Sequence, residues 1–447
     1  MLGILRSLLF SASMLHAAAS QFVLKPEWTG PCQASSVVDV NLGNTPSTFI
    51  QACFCQIEGK MPAQTLVTAW TDRLAQNPDW RRVDVVRTLA KELGRSVKLA
   101  YSNPWTNNPE LPPAGPKTSK RDIGAVFMFF FHCPGGVNCG MDWANNHVEG
   151  MDAPSQAVAF NGQPGFYQPS NPGFWLRELR DARAAGLDFF LLNCYGPDLA
   201  EGGLQALAQA YAAEPSPVKI ALMDDTWAWG EHWFGPAWMV APNFSDPARA
   251  AAKLYEAKWK PFFSLVPRAD WYLVNGRPLI YFYNSGKLVP VNVSAETVRR
   301  MKARFERDFG VEPFVAVDRA YFADPDMDQV ADAKFIWDPL TWGDTPDKIS
   351  WSRMRGLTLC HAITRWDSVG RDKPGMISGP GDRIMKGPAM LESVLAATGG
   401  AQVLTLGTWN DLGEGTGLNR AYDYWYNGQW LAPDTFINII RDSRNAQ

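Results

Sequence analysis

From Asp122 onward the chain repeats one unit: a short, almost continuously apolar run, then a longer stretch with apolar residues at helical spacing. A run such as Phe189-Phe190-Leu191-Leu192 shows no alternation of polar and apolar residues, so it has no face to give to water. It must be covered on both sides, which is the condition of a parallel sheet clothed in helices. The strands predicted on this basis are 123–131, 188–193, 218–223, 278–283, 313–318, 334–337, 356–361 and 402–407. Helices are expected at 174–185, 204–213, 247–260, 295–308, 325–331, 346–354, 388–398 and 433–441, several opening on Pro behind an Asp or Thr cap, as at Asp246-Pro247 and Thr345-Pro346. Eight such units within residues 122–447 fit an α/β chain folded as a (β/α)8 TIM barrel, a fold of about 250 residues before loop insertions. A doubly wound open sheet is the alternative.

The residues before the barrel read differently. Arg6 followed by an apolar stretch and Ala17-Ala18-Ala19-Ser20 has the form of an export signal over residues 1–20, so a secreted (extracellular or periplasmic) product is expected. Residues 21–121 are expected to form a mainly helical extension, with Val83, Val86, Leu89 and Leu93 as one apolar stripe, ending in a Pro- and Asn-rich linker or strap at 103–116. The barrel would then occupy 122–447. In an exported chain the seven cysteines favour some bridges: Cys133 with Cys139, and Cys32 with Cys53 or Cys55. Cys194 and Cys360, at strand ends, read as buried thiols. Asn243-Phe244-Ser245 and Asn292-Val293-Ser294 are glycosylation sequons.

Several chemistries find no support. A net charge of −3, with no basic run interleaved with aromatics, gives no footprint for nucleic acid. No apolar run past the leader approaches the length of a membrane span. His132, His147, His232 and His361 show no metal-binding spacing, and Cys53-Phe54-Cys55 lacks a second half, so no metal and no cofactor is expected. Neither a Gly-x-Ser-x-Gly elbow nor a phosphate or dinucleotide loop occurs.

A barrel places function at the carboxyl ends of its strands. There the sequence puts His132, Asn193 with Tyr195, Asp225 with Trp227, Tyr283, Trp337 with Asp338 and Trp342, Arg365 with Trp366 and Asp367, and finally Trp409-Asn410-Asp411-Leu412-Gly413-Glu414-Gly415-Thr416. The last of these sets two carboxylates three residues apart in a Gly-containing turn. Alone, such a turn is an ordinary acidic loop. Flanked by Trp409 and by Tyr422, Tyr424, Trp425, Tyr426 and Trp430, which offer flat apolar faces to sugar rings, it suits glycoside cleavage. One carboxyl would protonate the leaving oxygen while the other activates the attacking group.

The stretch 409–414 resembles the Trp-Asn-Asp-aromatic-Gly-Glu signature of glycoside hydrolase family 71, the α-1,3-glucanases. Glu414-Gly415-Thr416 is similar to the Glu-Gly-Thr ending of family 99, the endo-α-mannosidases and mannanases. Weaker likenesses to family 71 lie at 186–193 and 365–367. Leu412 stands where family 71 has an aromatic residue, and Gly415 where it has Ser, as in a distant relative. The resemblance implies a (β/α)8 barrel with Asp411 as general base and Glu414 as general acid.

The expected sugar platforms are Trp409, Trp337, Trp342 and Trp366, and the expected hydroxyl contacts include Asn193, Asp225, Asp338, Arg365 and Asp367. Asn410, Tyr195, Trp227, Tyr283 and His132 complete the candidate substrate site. The expected activity is endo-cleavage of an α-linked polysaccharide or oligosaccharide by a monomer that needs no cofactor and binds no nucleic acid. The alternative is a barrel that binds carbohydrate without turnover.

Overall fold

The structure, a computed structural model, describes residues 22–77, 80, 82–128, 169–194, 202–225, 246–283, 293–337, 349–364, 366–367, 383–384, 387–411, 416–422 and 424–444, with the backbone alone described at 366–367 and 383–384. Within the N-terminal region, β1 (Val37–Asp39) and β2 (Lys98–Ala100) pair in parallel beside the helices α1 (Pro46–Glu58), α2 (Gln64–Gln76) and α3 (Arg82–Glu92). The main sheet follows. Its parallel strands are β3 (Asp122–Met128), β4 (Phe189–Cys194), β5 (Lys219–Asp225), β7 (Arg277–Tyr283), β8 (Phe314–Asp318), β9 (Ala333–Phe335), β11 (Leu357–Ile363) and β14 (Val403–Gly407), and a short β6 (Leu273–Val274) pairs antiparallel with β7.

All eight strands expected from the apolar runs are present. They follow one another around the sheet in chain order, and β14 returns to pair with β3, so the open doubly wound sheet is excluded. The result is a nearly closed, mostly parallel barrel. Helices α4 (Pro172–Ala185), α5 (Gly203–Ala213), α6 (Pro247–Leu254), α7 (Lys260–Leu265), α8 (Ala295–Phe309), α9 (Met327–Val330), α10 (Gly387–Ala397) and α11 (Thr435–Ser443) supply its covering layer. The Pro-led start expected at Asp246-Pro247 is present, with Asp246 capping α6, and α4, expected from residue 174, begins at Pro172 behind an Asn171 cap.

Two expectations at the level of elements are overturned. The helix expected at 247–260 is interrupted by a π turn over Tyr255–Trp259 between α6 and α7. The helix expected at 346–354 is a strand, β10 (Ile349–Met354), antiparallel to β11 through a two-residue turn in which both Arg355 (φ 50°) and Gly356 (φ 79°) lie in the left-handed region. That is the turn a tight hairpin requires. β10 also stands between β9 and β11. The Ser352 hydroxyl accepts the Lys334 N–H at 3.0 Å and the Ser350 hydroxyl accepts the Ile336 N–H at 2.9 Å, so side chains rather than a backbone ladder join this side of the barrel. Past β11 a small pair forms between β12 (Trp366–Asp367) and β13 (Arg383–Ile384).

The N-terminal helices pack on the barrel's last segment. A second core gathers Phe49, Val86 and Leu89 with Tyr422, Trp425 and Trp430, the latter two on the hairpin of β15 (Trp425–Tyr426) and β16 (Gln429–Trp430). The Arg82 guanidinium lies 3.8 Å from the Phe49 ring centre and 4.5 and 4.4 Å from those of Trp425 and Trp430. Trp105, in the strap, donates its indole N–H to the Tyr422 carbonyl at 2.9 Å. Tyr422, Trp425 and Trp430 are thus spent on packing and present no face to a sugar, contrary to the expectation from their spacing. Cys32 bridges Cys55, and Cys53, Cys194 and Cys360 are buried. The Cys133 and Cys139 pairing, the sequon at 243–245 and Asn292 of the second sequon lie outside the described residues.

Candidate active site at the barrel mouth

Strand register fixes which side chains face the barrel axis, because register partners share a face and alternate residues oppose it. Tyr281 and Thr405 lie on strands that are not neighbours, yet their hydroxyls are 3.1 Å apart, so both point inward. Tyr281 pairs with Met223 and Ala316, and Met223 pairs with Asn193, which pairs with Met128. Two residues further along their strands, Tyr283, Asp225 and Asp318 repeat the inward direction at the carboxyl end. At the other end Phe189 and Tyr272 stack at 3.8 Å, and a side chain at Gly124 would strike the Phe189 ring. The barrel therefore has a filled floor and a polar and aromatic mouth.

Asp225 is turned inward by what holds its neighbour. Asp224, on the helix-facing side, accepts the Trp259 indole N–H at 2.8 Å and pairs with Lys258 at 2.9 Å, both partners fully buried. Lys258 also donates to the Asp225 carbonyl. The π turn brings Lys258 and Trp259 to this strand end together. Asn193, buried, donates to the Met128 sulfur at 3.4 Å, and its carbonyl oxygen has no hydrogen-bond partner among the described residues.

Trp337 is the aromatic face the mouth offers. Half-buried, it stacks on His361 at 5.3 Å and leans on Tyr283 at 5.1 Å. Its peptide is gripped from both sides. The backbone N–H donates to the Asp318 carboxyl, and the carbonyl accepts from His361 Nε2 at 3.1 Å. Because a carbonyl can only accept, Nε2 carries the imidazole proton and Nδ1 accepts from the Thr405 hydroxyl at 2.9 Å. Burial pushes His361 down to about 4, which keeps that ring neutral. Burial also pushes Asp318 up to about 7, against backbone N–H groups of Ala320, Arg319 and Trp337 that favour its ionised form. Asp318 and His361 are not among the expected substrate contacts; their places at the carboxyl ends of apolar runs, 313–318 and 356–361, were the available signal.

The acid turn leaves β14 through a cis peptide between Gly407 and Thr408. Trp409 N–H donates to the Val126 carbonyl at 2.6 Å, and the Asn410 amide takes both backbone groups of Met128, at 2.6 and 3.0 Å. Asp411 N–H donates to the Thr408 hydroxyl at 3.0 Å, while its carbonyl accepts the N–H groups of Thr416 and Gly417, each at 3.1 Å. The backbone at Asp411 is thereby locked at the mouth with its side chain nearly buried.

Two expected ligand contacts are corrected here. Trp409 is wholly buried, its ring against Phe190 at 5.4 Å and its N–H given to Glu178, so it is a strut of the core and no sugar platform. Asn410, equally buried, has its amide committed to Met128 and ties β14 to β3. Asn193, Asp225, Tyr283, Trp337 and Asp411 are brought together at the strand ends. Trp366 and Asp367 form β12, with nothing described of their side chains. His132, Tyr195, Trp227, Asp338, Trp342, Arg365 and Glu414 lie outside the described residues. Among the described residues no group of three or more His, Cys, Asp or Glu is placed to hold a metal ion, and no described helix is long and apolar enough to cross a membrane.

Comparison with known proteins gives three findings. The family model described as a domain of unknown function (DUF5010) matches residues 134–446. A search of the curated proteins finds no match to the sequence. Among solved structures, a GH99 endo-alpha-mannosidase from Bacteroides thetaiotaomicron is similar at a TM-score of 0.47 and 12% identity, covering 72% of this chain and 96% of that one. A structure of that enzyme type in complex with bis-tris-propane gives 0.48 and 12%, covering 73% and 97%. A glycoside hydrolase-like protein gives 0.49 and 15%, covering 76% and 98%.

Proposed function

The chain belongs to the DUF5010 family, and from that premise, which carries no activity of its own, we propose that it is a glycoside hydrolase acting on an α-linked polysaccharide or oligosaccharide within the chain. The observation that supports this most is the locked acid turn at Asp411, set at the mouth of a barrel beside an aromatic face, Trp337, and inward polar groups, Asn193 and Asp225. A glycosidase needs a carboxyl held in place beside a sugar ring, and a turn tied by its own backbone meets that need without induced fit. In this reading Asp411 is the base and Glu414, three residues on, the proton donor. Direct displacement by water would require their carboxyls about 6.5–9.5 Å apart, and a covalent retaining route about 5–5.5 Å. A neighbouring-hydroxyl route, with the base acting on the substrate, would obey neither spacing. The Cys32–Cys55 bridge agrees with passage through an oxidising compartment, and we read the chain as exported.

The test is hydrolysis of a panel of α-glucans and α-mannans by the wild type and by Asp411→Asn and Glu414→Gln. We expect Asp411→Asn to lower kcat by roughly 100- to 10,000-fold on every substrate. Glu414→Gln should suppress ordinary glycosides yet spare substrates with leaving groups that need no proton. Wild-type rates in both variants would remove the catalytic assignment. Binding without turnover by the wild type would make the barrel a carbohydrate-binding protein.

A further inference from the structure

One buried carboxyl near the acid turn has no part in the chemistry just described. Glu178 sits on the buried stripe of α4 with Trp175 and Ala182, and one of its oxygens accepts the Trp409 indole N–H. Three residues on, Asp181 grips Arg420, with Nε at 3.1 Å from one carboxylate oxygen and a second guanidinium nitrogen against the other. Arg420 also donates to Asn108 at 2.7 Å and to the Pro109 carbonyl at 2.8 Å in the strap. The segment 409–420, which carries Asp411, is therefore pinned at both ends to two acids one helical turn apart.

We propose that Glu178 is a positioning residue for the acid turn: by holding the Trp409 indole it fixes the backbone two residues before Asp411, and with it the geometry of the proposed cleavage. This rests on the glycosidase reading above. Trp409 is a suitable handle, since its backbone N–H is bonded to the Val126 carbonyl and its own carbonyl accepts the backbone N–H groups of Leu418 at 2.7 Å and Asn419 at 2.8 Å. A shift of the indole must move both limbs of the turn.

The two anchors differ in kind. Asp181 is met by cations, Arg420 and, at 3.4 Å, Arg177, whereas Glu178 is met by a neutral indole. The groups facing Glu178 are Asp181 and Arg177 from its own helix and Arg420 and Trp409 from the loop. Burial first and Asp181 second push its carboxyl up to about 8, against the Trp409 bond and the two guanidiniums. Near neutrality a protonated Glu178 holds the indole without burying a charge. Its ionisation at higher pH sets a carboxylate beside Asp181 in a dry site; the indole N–H and the guanidiniums draw on that charge while Asp181 repels it, so the turn they hold responds as the proton leaves.

The full-length protein with isotopically labelled tryptophan side chains and backbone amides allows a direct test. The Trp409 indole and Asp411 amide resonances, assigned with Trp409→Phe and Asp411→Asn, are followed from about pH 6 to about pH 10. Both should titrate together with a midpoint about 8 in the wild type and stay fixed in Glu178→Gln, which keeps an acceptor but cannot ionise. A wild-type resonance pair that does not move, or an equal titration in Glu178→Gln, overturns the proposal. On a cleaved substrate, Glu178→Ala should lower kcat about tenfold with little change in KM, and Glu178→Gln should restore kcat and carry the alkaline limb upward. If no polysaccharide is cleaved, the glycosidase reading fails while the resonances still decide the role of Glu178.

Discussion

At the residue scale, two tryptophans of the site, Trp409 and Trp337, carry opposite duties. Trp409 is buried and bonded to Glu178, while Trp337 is half-exposed and gripped at both ends of its peptide. Replacing Trp337 by Ala should weaken oligosaccharide binding roughly tenfold, read by calorimetry or intrinsic fluorescence, with little loss of thermal stability. Trp409→Ala should do the reverse of this order, costing about 3–5 kcal/mol of stability because it empties a core position and strands a buried carboxyl. A Trp337 variant that binds as tightly as wild type would remove the platform from the site. Sequence separated the two poorly: both follow a strand and both neighbour an acid, and the one residue that distinguishes them, Glu178, is 231 positions away from Trp409. Its own signal was a carboxylate at helical spacing from Trp175 and Ala182, on a face that should have been apolar.

At the scale of elements, the eight barrel strands were legible because full burial leaves a continuous apolar run, as in β4, where every residue is buried. β10 was not legible. Pro346 behind Thr345 imitates a helix start, and the alternation Ile349, Trp351 against Ser350, Ser352 was outweighed by it. The two serines have a purpose that no local pattern announces, since they complete the barrel by accepting the amides of Lys334 and Ile336. Ser350→Ala and Ser352→Ala should each cost about 1 kcal/mol in chemical denaturation, more than a surface Ser would, because each leaves a buried or half-buried N–H without its acceptor. Hydrogen exchange at Lys334 and Ile336 should quicken in these variants before exchange elsewhere in the barrel does. Unchanged stability and exchange would show that the seam closes by other means.

For the whole molecule, three buried titratable groups among the described residues make opposing contributions to how stability varies with acidity. Asp318 and Glu178 have folded values raised to about 7 and about 8, so the folded chain holds protons that the unfolded chain has released, and both contributions decline as pH rises from about 4 toward those values. His361, lowered to about 4, acts oppositely: its contribution grows as pH rises from about 4 to about 6.5 and is then complete. The opposing slopes offset each other in acid. Between about pH 6.5 and 8, of these three groups the two carboxyls still titrate and should lower the melting temperature across that window; Glu178→Gln and Asp318→Asn should each flatten the fall. A flat wild-type profile there would contradict the burial of these groups. The same scale brings the chain's two extremities together. Arg82, Phe49 and Trp105 each complete their surroundings with Tyr422, Trp425 or Trp430, more than three hundred residues later. On a ribosome the N-terminal helices emerge well before the aromatic segment at 422–430 that closes their core, so that side of their interior stays open until the segment has been made.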